Sequence, residues 1–221
     1  MAQLKESELK KQIKEKAFVP LYFLYGEEKY LISHYTEAIV NKVLGKSYSD
    51  FNFQAFDGGK ASIDEIADAA QALPLFAERK CVLVKDLNVE ALNAGELAKL
   101  YQLLEELSET TVLIISQSTL EIDAKRSAKW KKFIAAAEKN GTVVLLEKRG
   151  EIALEKQLVQ WAEKRGCSLT QINAGKIIQL CGDDLLTLSS ELEKLCAYAL
   201  GQGQGEITLA MIEELVAKST E

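Results

Sequence analysis

The chain reads as an α/β protein, a five-stranded parallel sheet wrapped by helices and followed by a small all-α bundle. Three observations predict this. Apolar runs at 21–25, 51–56, 80–85, 111–116 and 142–146 alternate with segments of helical periodicity, the pattern of a parallel sheet covered on both faces. Beyond Glu147-Lys148-Arg149-Gly150 only helical periodicity remains. Glycines stand where helices should stop, at Gly45, Gly166 and Gly182. The expected organisation is an α/β domain over 1–146, a hinge at 147–150 and a helical domain over 151–221.

The elements follow in order. Residues 4–16 form a charged helix leading to Pro20. Leu21-Tyr22-Phe23-Leu24-Tyr25 is a continuous apolar run, as expected of a strand buried on both faces, and Gly26 ends it. The next helix carries Leu31, Tyr35, Ala38, Ile39, Lys42 and Val43 on one stripe. Phe51 to Phe56 alternates as a second strand, and Asp57-Gly58-Gly59 turns it. Ser62 and Glu65 have capping-box spacing, opening a helix with Ile63, Ile66, Ala70 and Leu73 on its apolar face. Strand three is 80–85. A helix near 94–107 presents Leu97, Leu100, Leu104 and Leu107, and strand four is 111–116. A helix over 124–139 carries Trp130, Phe133, Ile134 and Ala137 ahead of strand five. The bundle has helices at 151–165, 171–181 and 184–200, and a last one capped by Thr208.

Composition narrows the function. The 221 residues are 48% hydrophobic and 27% charged with net charge −6, an ordinary globular balance that argues against a strong nucleic-acid binder. Two local basic clusters, Lys10/Lys11/Lys14/Lys16 and Lys125/Arg126/Lys129/Lys131/Lys132 around Trp130, read as solvated helix faces. No apolar run approaches the ~20 residues of a membrane span, and the polar start lacks a secretory core, so a cytoplasmic protein is expected. Cys81, Cys167, Cys181 and Cys196 are scattered in apolar patterns and read as buried free thiols. His34 is the only histidine, so no metal site is expected.

Leu73-Pro74-Leu75-Phe76-Ala77-Glu78-Arg79-Lys80 is the most informative segment. A proline forces the preceding residue out of the α region, so the helix should end near Leu73. Leu75 and Phe76 then sit at a corner before strand three, where paired apolar side chains point to a partner if exposed and to ordinary core if folded back.

A five-stranded α/β domain followed by a small helical domain is the layout of an AAA+ (P-loop NTPase-like) fold with its lid bundle. Its first strand-to-helix turn should carry G-x-x-x-x-G-K-[ST]. This chain has Gly26-Glu27-Glu28-Lys29-Tyr30, with one glycine, no Ser or Thr after Lys29, and two carboxylates where phosphate would lie. Those carboxylates are expected to satisfy the helix N-terminus and repel a triphosphate. Strand three ends in the lone acid Asp86, and strand four ends in Ser116-Gln117, a weak sensor candidate. No bound nucleotide, and no cofactor of any kind, is expected.

Several motifs in order resemble the delta-subunit family of bacterial DNA polymerase III, the clamp-opening member of the clamp loader. They are Tyr22-Phe23-Leu24-Tyr25-Gly26-Glu27-Glu28-Lys29-Tyr30-Leu31, Phe56-Asp57-Gly58, Leu73 to Lys80, Lys129-Trp130-Lys131-Lys132, and Asp184 through Leu195. The resemblance spans the family's ATPase-like and lid domains and implies that the C-terminal collar domain is absent. It implies a non-catalytic subunit that binds the sliding clamp (the beta subunit) and opens its ring. Leu75 and Phe76 would enter a clamp pocket, with Leu73 and Arg79 supporting. Partner loader subunits would handle ATP, DNA would join in the assembled complex, and polymerase activity would belong to the holoenzyme. This fragment is expected to be monomeric. Two other readings stay open, an active P-loop NTPase and a helical adaptor or DNA-binding module.

Overall fold

The computed structural model describes residues 3–45 and 49–216, and divides the chain into two compact units, Met1–Glu147 and Lys148–Glu221. The first unit contains α1 (Glu6–Glu15), β1 (Leu21–Tyr25), α2 (Lys29–Leu44), β2 (Phe53–Asp57), α3 (Ile63–Gln71), β3 (Lys80–Lys85), α4 (Ala94–Glu105), β4 (Thr111–Ser116), α5 (Ala128–Asn140) and β5 (Thr142–Leu145). The five strands are all parallel, in the order β2-β3-β4-β1-β5. β1 lies between β4 and β5, which explains why its five residues are all buried and apolar.

Strand alternation assigns the two faces. Leu21, Phe23, Val82, Val84, Leu113 and Ile115 pack with α3, α4 and α5 in one core. Phe23 is its centre, stacked on Tyr25 at 4.9 Å and edge-on to Phe133 at 5.0 Å. α2 packs on β1, β3 and β4 from the opposite face.

The second unit holds α6 (Glu151–Lys164), α7 (Gln171–Cys181), α8 (Leu185–Gly201) and α9 (Leu209–Leu215). Thr170, Asp184 and Thr208 each accept a backbone N–H three residues on, fixing three helix starts. Leu158, Leu188, Leu192, Leu195 and Ile212 are fully buried among these helices.

The structure departs from the sequence pattern at particular points. β2 begins at Phe53, not Phe51, because Asn52 and Phe53 both donate to Ser49 in a turn. As an edge strand β2 is mostly exposed, so its alternation does not mark a face. α5 begins at Ala128 instead of 124, because the Asp123 carboxylate captures the amides of Lys125 and Arg126, and Ser127 becomes the cap. α3 ends at Gln71, so Leu73 is not on its apolar face and is 79% exposed. On α2, Leu31, Tyr35 and Ile39 are buried as expected, but the face widens to Ile32, Thr36 and Val40 while Lys42 is exposed.

The cysteines are free and buried. Burial pushes the thiols of Cys81 and Cys196 up to about 12, which makes them poor nucleophiles. His34 lies on the exposed side of α2, stacked on Tyr30. No cluster of metal-ligating side chains and no helix long and apolar enough to cross a membrane occurs among the described residues.

Candidate functional site

Two places on the sheet hold the candidate residues, one at the carboxyl ends of the strands and one at their amino ends. In an open parallel sheet, ligands sit beyond the carboxyl ends of the strands, where the order reverses beside the first strand. Here that place is the Gly26–Lys29 turn between β1 and α2. It is filled by the chain's own groups. The Leu146 carbonyl oxygen lies only 2.1 Å from where a Cβ on Gly26 would stand, and Gly26 has φ +135°. The Glu28 amide donates to that same carbonyl at 3.0 Å, so it is aimed at protein and not at a phosphate position. Glu28 is buried, while Glu27 is exposed. The expected carboxylate cap is not made, since Glu28 is the N-cap of α2 but forms no side-chain cap bond.

Lys29 does not extend toward an open site. Its ammonium donates to the carbonyls of Leu120 (2.8 Å) and Gln117 (3.2 Å). Burial lowers its pKa, partly opposed by Asp86 and Glu121. Asp86, at φ +56°, folds its carboxylate into the same loop and accepts from the amides of Thr119 (2.8 Å) and Leu120 (3.1 Å) and from the Ser118 hydroxyl. Burial alone would raise the Asp86 pKa, but those hydrogen bonds more than offset it and hold the carboxyl below its ordinary value. Gln117 is fully buried and donates to the Leu87 carbonyl. Lys29, Asp86 and Gln117 together pin the loop that follows β4. The basic residues nearby disperse. Trp130 is a core residue, Lys129 caps the carbonyls of Glu90 and Leu92, and Lys132 lies over the Tyr101 ring.

The apolar corner occupies the opposite edge, ahead of the N-terminal ends of β1, β2 and β3. Phe76 is 98% exposed, Leu75 44%, and Leu73 79%. Phe76 also has φ +52°, a region that costs a residue with a Cβ about 1–2 kcal/mol. Such a conformation persists only where the surroundings over-determine it. Two ties do so. Arg79 donates to the Phe18 carbonyl at 2.9 Å, fastening the end of the loop to the segment before β1. Asn52 holds Leu75 through both halves of its amide, accepting from the Leu75 N–H at 2.8 Å and donating to the Leu75 carbonyl at 2.9 Å. Neither Asn52 nor its exposed neighbour Phe51 was marked by the sequence pattern. The bonds that join Asn52 to the corner cross 23 residues and leave no periodic trace. The core alternative for Leu75 and Phe76 does not describe their exposure, and Pro74 follows the helix end as its chemistry requires.

A family model described as DNA polymerase III, delta subunit, matches residues 22–146. DNA polymerase III subunit delta from Bacillus subtilis (strain 168) is 25% identical over 220 residues, covering 96% of this chain and 60% of the relative. The chain therefore spans about three fifths of that relative's length. In structure it is similar to the Bacillus subtilis DNA clamp loader delta protein, with TM-score 0.73 at 24% identity over 96% of this chain and 62% of the other. Domain III of the Thermotoga maritima replication initiation protein DnaA (TM-score 0.52, 16% identity, 95% and 90% covered) and a Thermotoga maritima RuvB variant (TM-score 0.54, 12%, 94% and 64%) share the AAA+-like fold. With the family model covering more than half of its residues, the chain belongs to the DNA polymerase III delta-subunit family.

Proposed function

We propose that this chain binds the sliding clamp through the corner of Leu73, Leu75 and Phe76 and favours the open ring, as a non-catalytic subunit of a clamp loader. One observation carries this reading. A phenylalanine with 98% of its surface in water is held in a strained backbone conformation by two side-chain ties. Membership of the delta-subunit family supports the sliding clamp as the partner. Burying a Leu and a Phe contributes roughly 3–6 kcal/mol of apolar transfer, part of which association entropy offsets. Ring opening requires the chain to bind the open clamp more tightly than the closed one, since a ligand shifts an equilibrium only through differential affinity.

ATP chemistry then belongs to partner subunits, and DNA is met in the assembled loader. The packed turn at Gly26, with Leu146 against it, supports that division. Residues 1–146 serve as the ATPase-like platform, 147–150 as the hinge and 151–221 as the lid, in a protein working in the cytoplasm. The test is direct. The purified chain is titrated with the cognate sliding clamp by calorimetry, and is also added to clamp preloaded on circular DNA without ATP. Binding and clamp release are expected. Absence of binding at tens of micromolar clamp (a binding free energy weaker than about −6 kcal/mol) refutes the reading.

A further inference from the structure

We infer that Asn52 is a positioning residue for the apolar corner, a latch that sets the direction in which Leu75 and Phe76 face their partner. This rests on the clamp-binding reading for the identity of the partner, and on the geometry alone for the latch.

A primary amide offers an acceptor and a donor in one plane, matched to the N–H and C=O of a single residue. Asn52 uses both on Leu75, at 2.8 and 2.9 Å, as a neighbouring strand would. Its side chain thereby adds a rung where no strand exists. The latch is itself immobile. Asn52 is 2% exposed, its amide donates to Ser49 at 3.0 Å, and its carbonyl accepts from Cys81 at 2.8 Å, at the start of the β2–β3 ladder. Position 52 is thus fixed to the sheet, and Leu75 is fixed to position 52. The next residue is Phe76, at positive φ and in water. From Ala72 to Glu78 the chain is neither helix nor strand, and Leu75 is bound to the sheet through the Asn52 side chain, with Arg79 as a second tie beyond. Removing the amide leaves Leu75 free to turn, and Phe76 free to leave the unfavourable φ.

The chemistry is specific to asparagine. Aspartate keeps the acceptor for the Leu75 N–H but sets a carboxylate oxygen against the Leu75 carbonyl. Once protonated, the same carboxyl regains a donor and the two-bond geometry. A side chain that only fills space would not show this pH response.

The test uses the whole chain with Asn52→Ala, Asn52→Asp, the Leu75→Ala/Phe76→Ala pair, and Val143→Ala as a stability control on a distant strand. Clamp affinity, thermal midpoint and hydrogen-exchange protection of the Leu75 amide are measured for each, beside the unaltered chain at every pH. Asn52→Ala is expected to weaken clamp binding about ten- to a hundredfold, the worth of two lost hydrogen bonds, and to expose the Leu75 amide to exchange. Val143→Ala is expected to lower the midpoint without weakening binding by the folded protein. Asn52→Asp is expected to bind weakly near neutral pH and to recover on mild acidification. Full protection of the Leu75 amide in Asn52→Ala overturns the latch, as does clamp affinity unchanged in that variant while the Leu75/Phe76 pair abolishes it. If the pair itself leaves affinity unchanged, the clamp-binding reading fails, and loss or retention of Leu75 protection alone decides the latch.

Discussion

Truncating the corner separates a contact surface from a piece of core with one pair of measurements. Leu75 is 44% exposed, so slightly more than half of its side chain is buried, and Leu75→Ala should cost about 1 kcal/mol. Phe76 is 98% exposed and has almost nothing to lose. Alanine at φ +52° bears the same strain as phenylalanine, so the backbone cost cancels. The double variant should therefore be destabilised by about 1–1.5 kcal/mol, a few degrees in midpoint, where two buried side chains would cost about 5–10 kcal/mol. Clamp affinity should fall by at least about a hundredfold, from the roughly 3–6 kcal/mol of gross apolar burial removed. Phe76→Gly sharpens the contrast. Glycine relieves the left-handed strain, so that variant should melt no lower than the unaltered chain, or higher by up to about 1 kcal/mol, while losing clamp binding. Differential scanning fluorimetry and calorimetry with the clamp read both quantities. A double variant that loses many degrees yet binds normally in its folded fraction refutes the reasoning, and so does a Phe76→Gly chain that melts well below its parent.

Three further outcomes are expected. Calorimetry with Mg-ATP should give no micromolar isotherm, because the Glu28 amide and the space at Gly26 are taken by Leu146; a clear isotherm would show that the turn opens. Asp86 has a folded pKa below its unfolded value, so its stabilisation is fully present above the ordinary carboxylate pKa near 3.8 and is lost as pH falls through the lower, folded value. Asp86→Ala should cost about 1–3 kcal/mol at neutral pH and flatten that acid arm in a pH series of melts; an unchanged acid arm would assign it to other carboxylates. Trypsin should cut at Lys148 or Arg149, where the two compact units divide, before it cuts inside either unit, as read by mass spectrometry of the first fragments; first cuts elsewhere would show that the link is protected.

Much of this was legible in the residues. The continuous apolar runs gave β1, β3 and β4 to the residue or nearly so, since a strand buried on both faces has no choice but to be apolar. Helix starts with a side-chain cap, Ser62 with Glu65 and Thr208, were equally readable. The edge was not. β2 is an edge strand with only Phe53 and Phe56 half-buried, so burial imposes little on its sequence, and the residues ahead of it belong to a turn instead. The start of α5 depended on which of Asp123 and Ser127 captured the local amides, a competition that spacing alone does not resolve. At the corner, Leu75 and Phe76 could be picked out beside Pro74, but their exposure could not. It depends on Asn52, which was unremarkable in the sequence because an amide bonding to backbone far along the chain matches no motif. Leu73 stood both on the helix face and in the contact set, and the end of α3 at Gln71 removes it from the helix.

The two ends of the strands meet opposite physical demands. A nucleotide loop must keep backbone amides unpaired and a glycine-lined space open for its ligand. In this chain those groups are spent internally, with the Glu28 amide on Leu146 and the Lys29 ammonium on Gln117 and Leu120. The carboxyl ends of the strands are thereby closed on the chain's own groups. The corner makes the opposite demand, a fixed backbone and free side chains. Asn52 and Arg79 meet it by bonding to main-chain carbonyls and an amide, leaving Phe76 and much of Leu75 to the solvent. Rigidity at the corner lowers the ordering cost of binding, because Phe76 already stands in the conformation in which it is presented. A nucleotide-driven movement of the first turn would gain nothing for such a surface, since the corner is anchored at the amino ends of the strands and the turn lies at their carboxyl ends. On the clamp-binding reading proposed above, affinity for the partner is built into the corner and does not wait on the first turn.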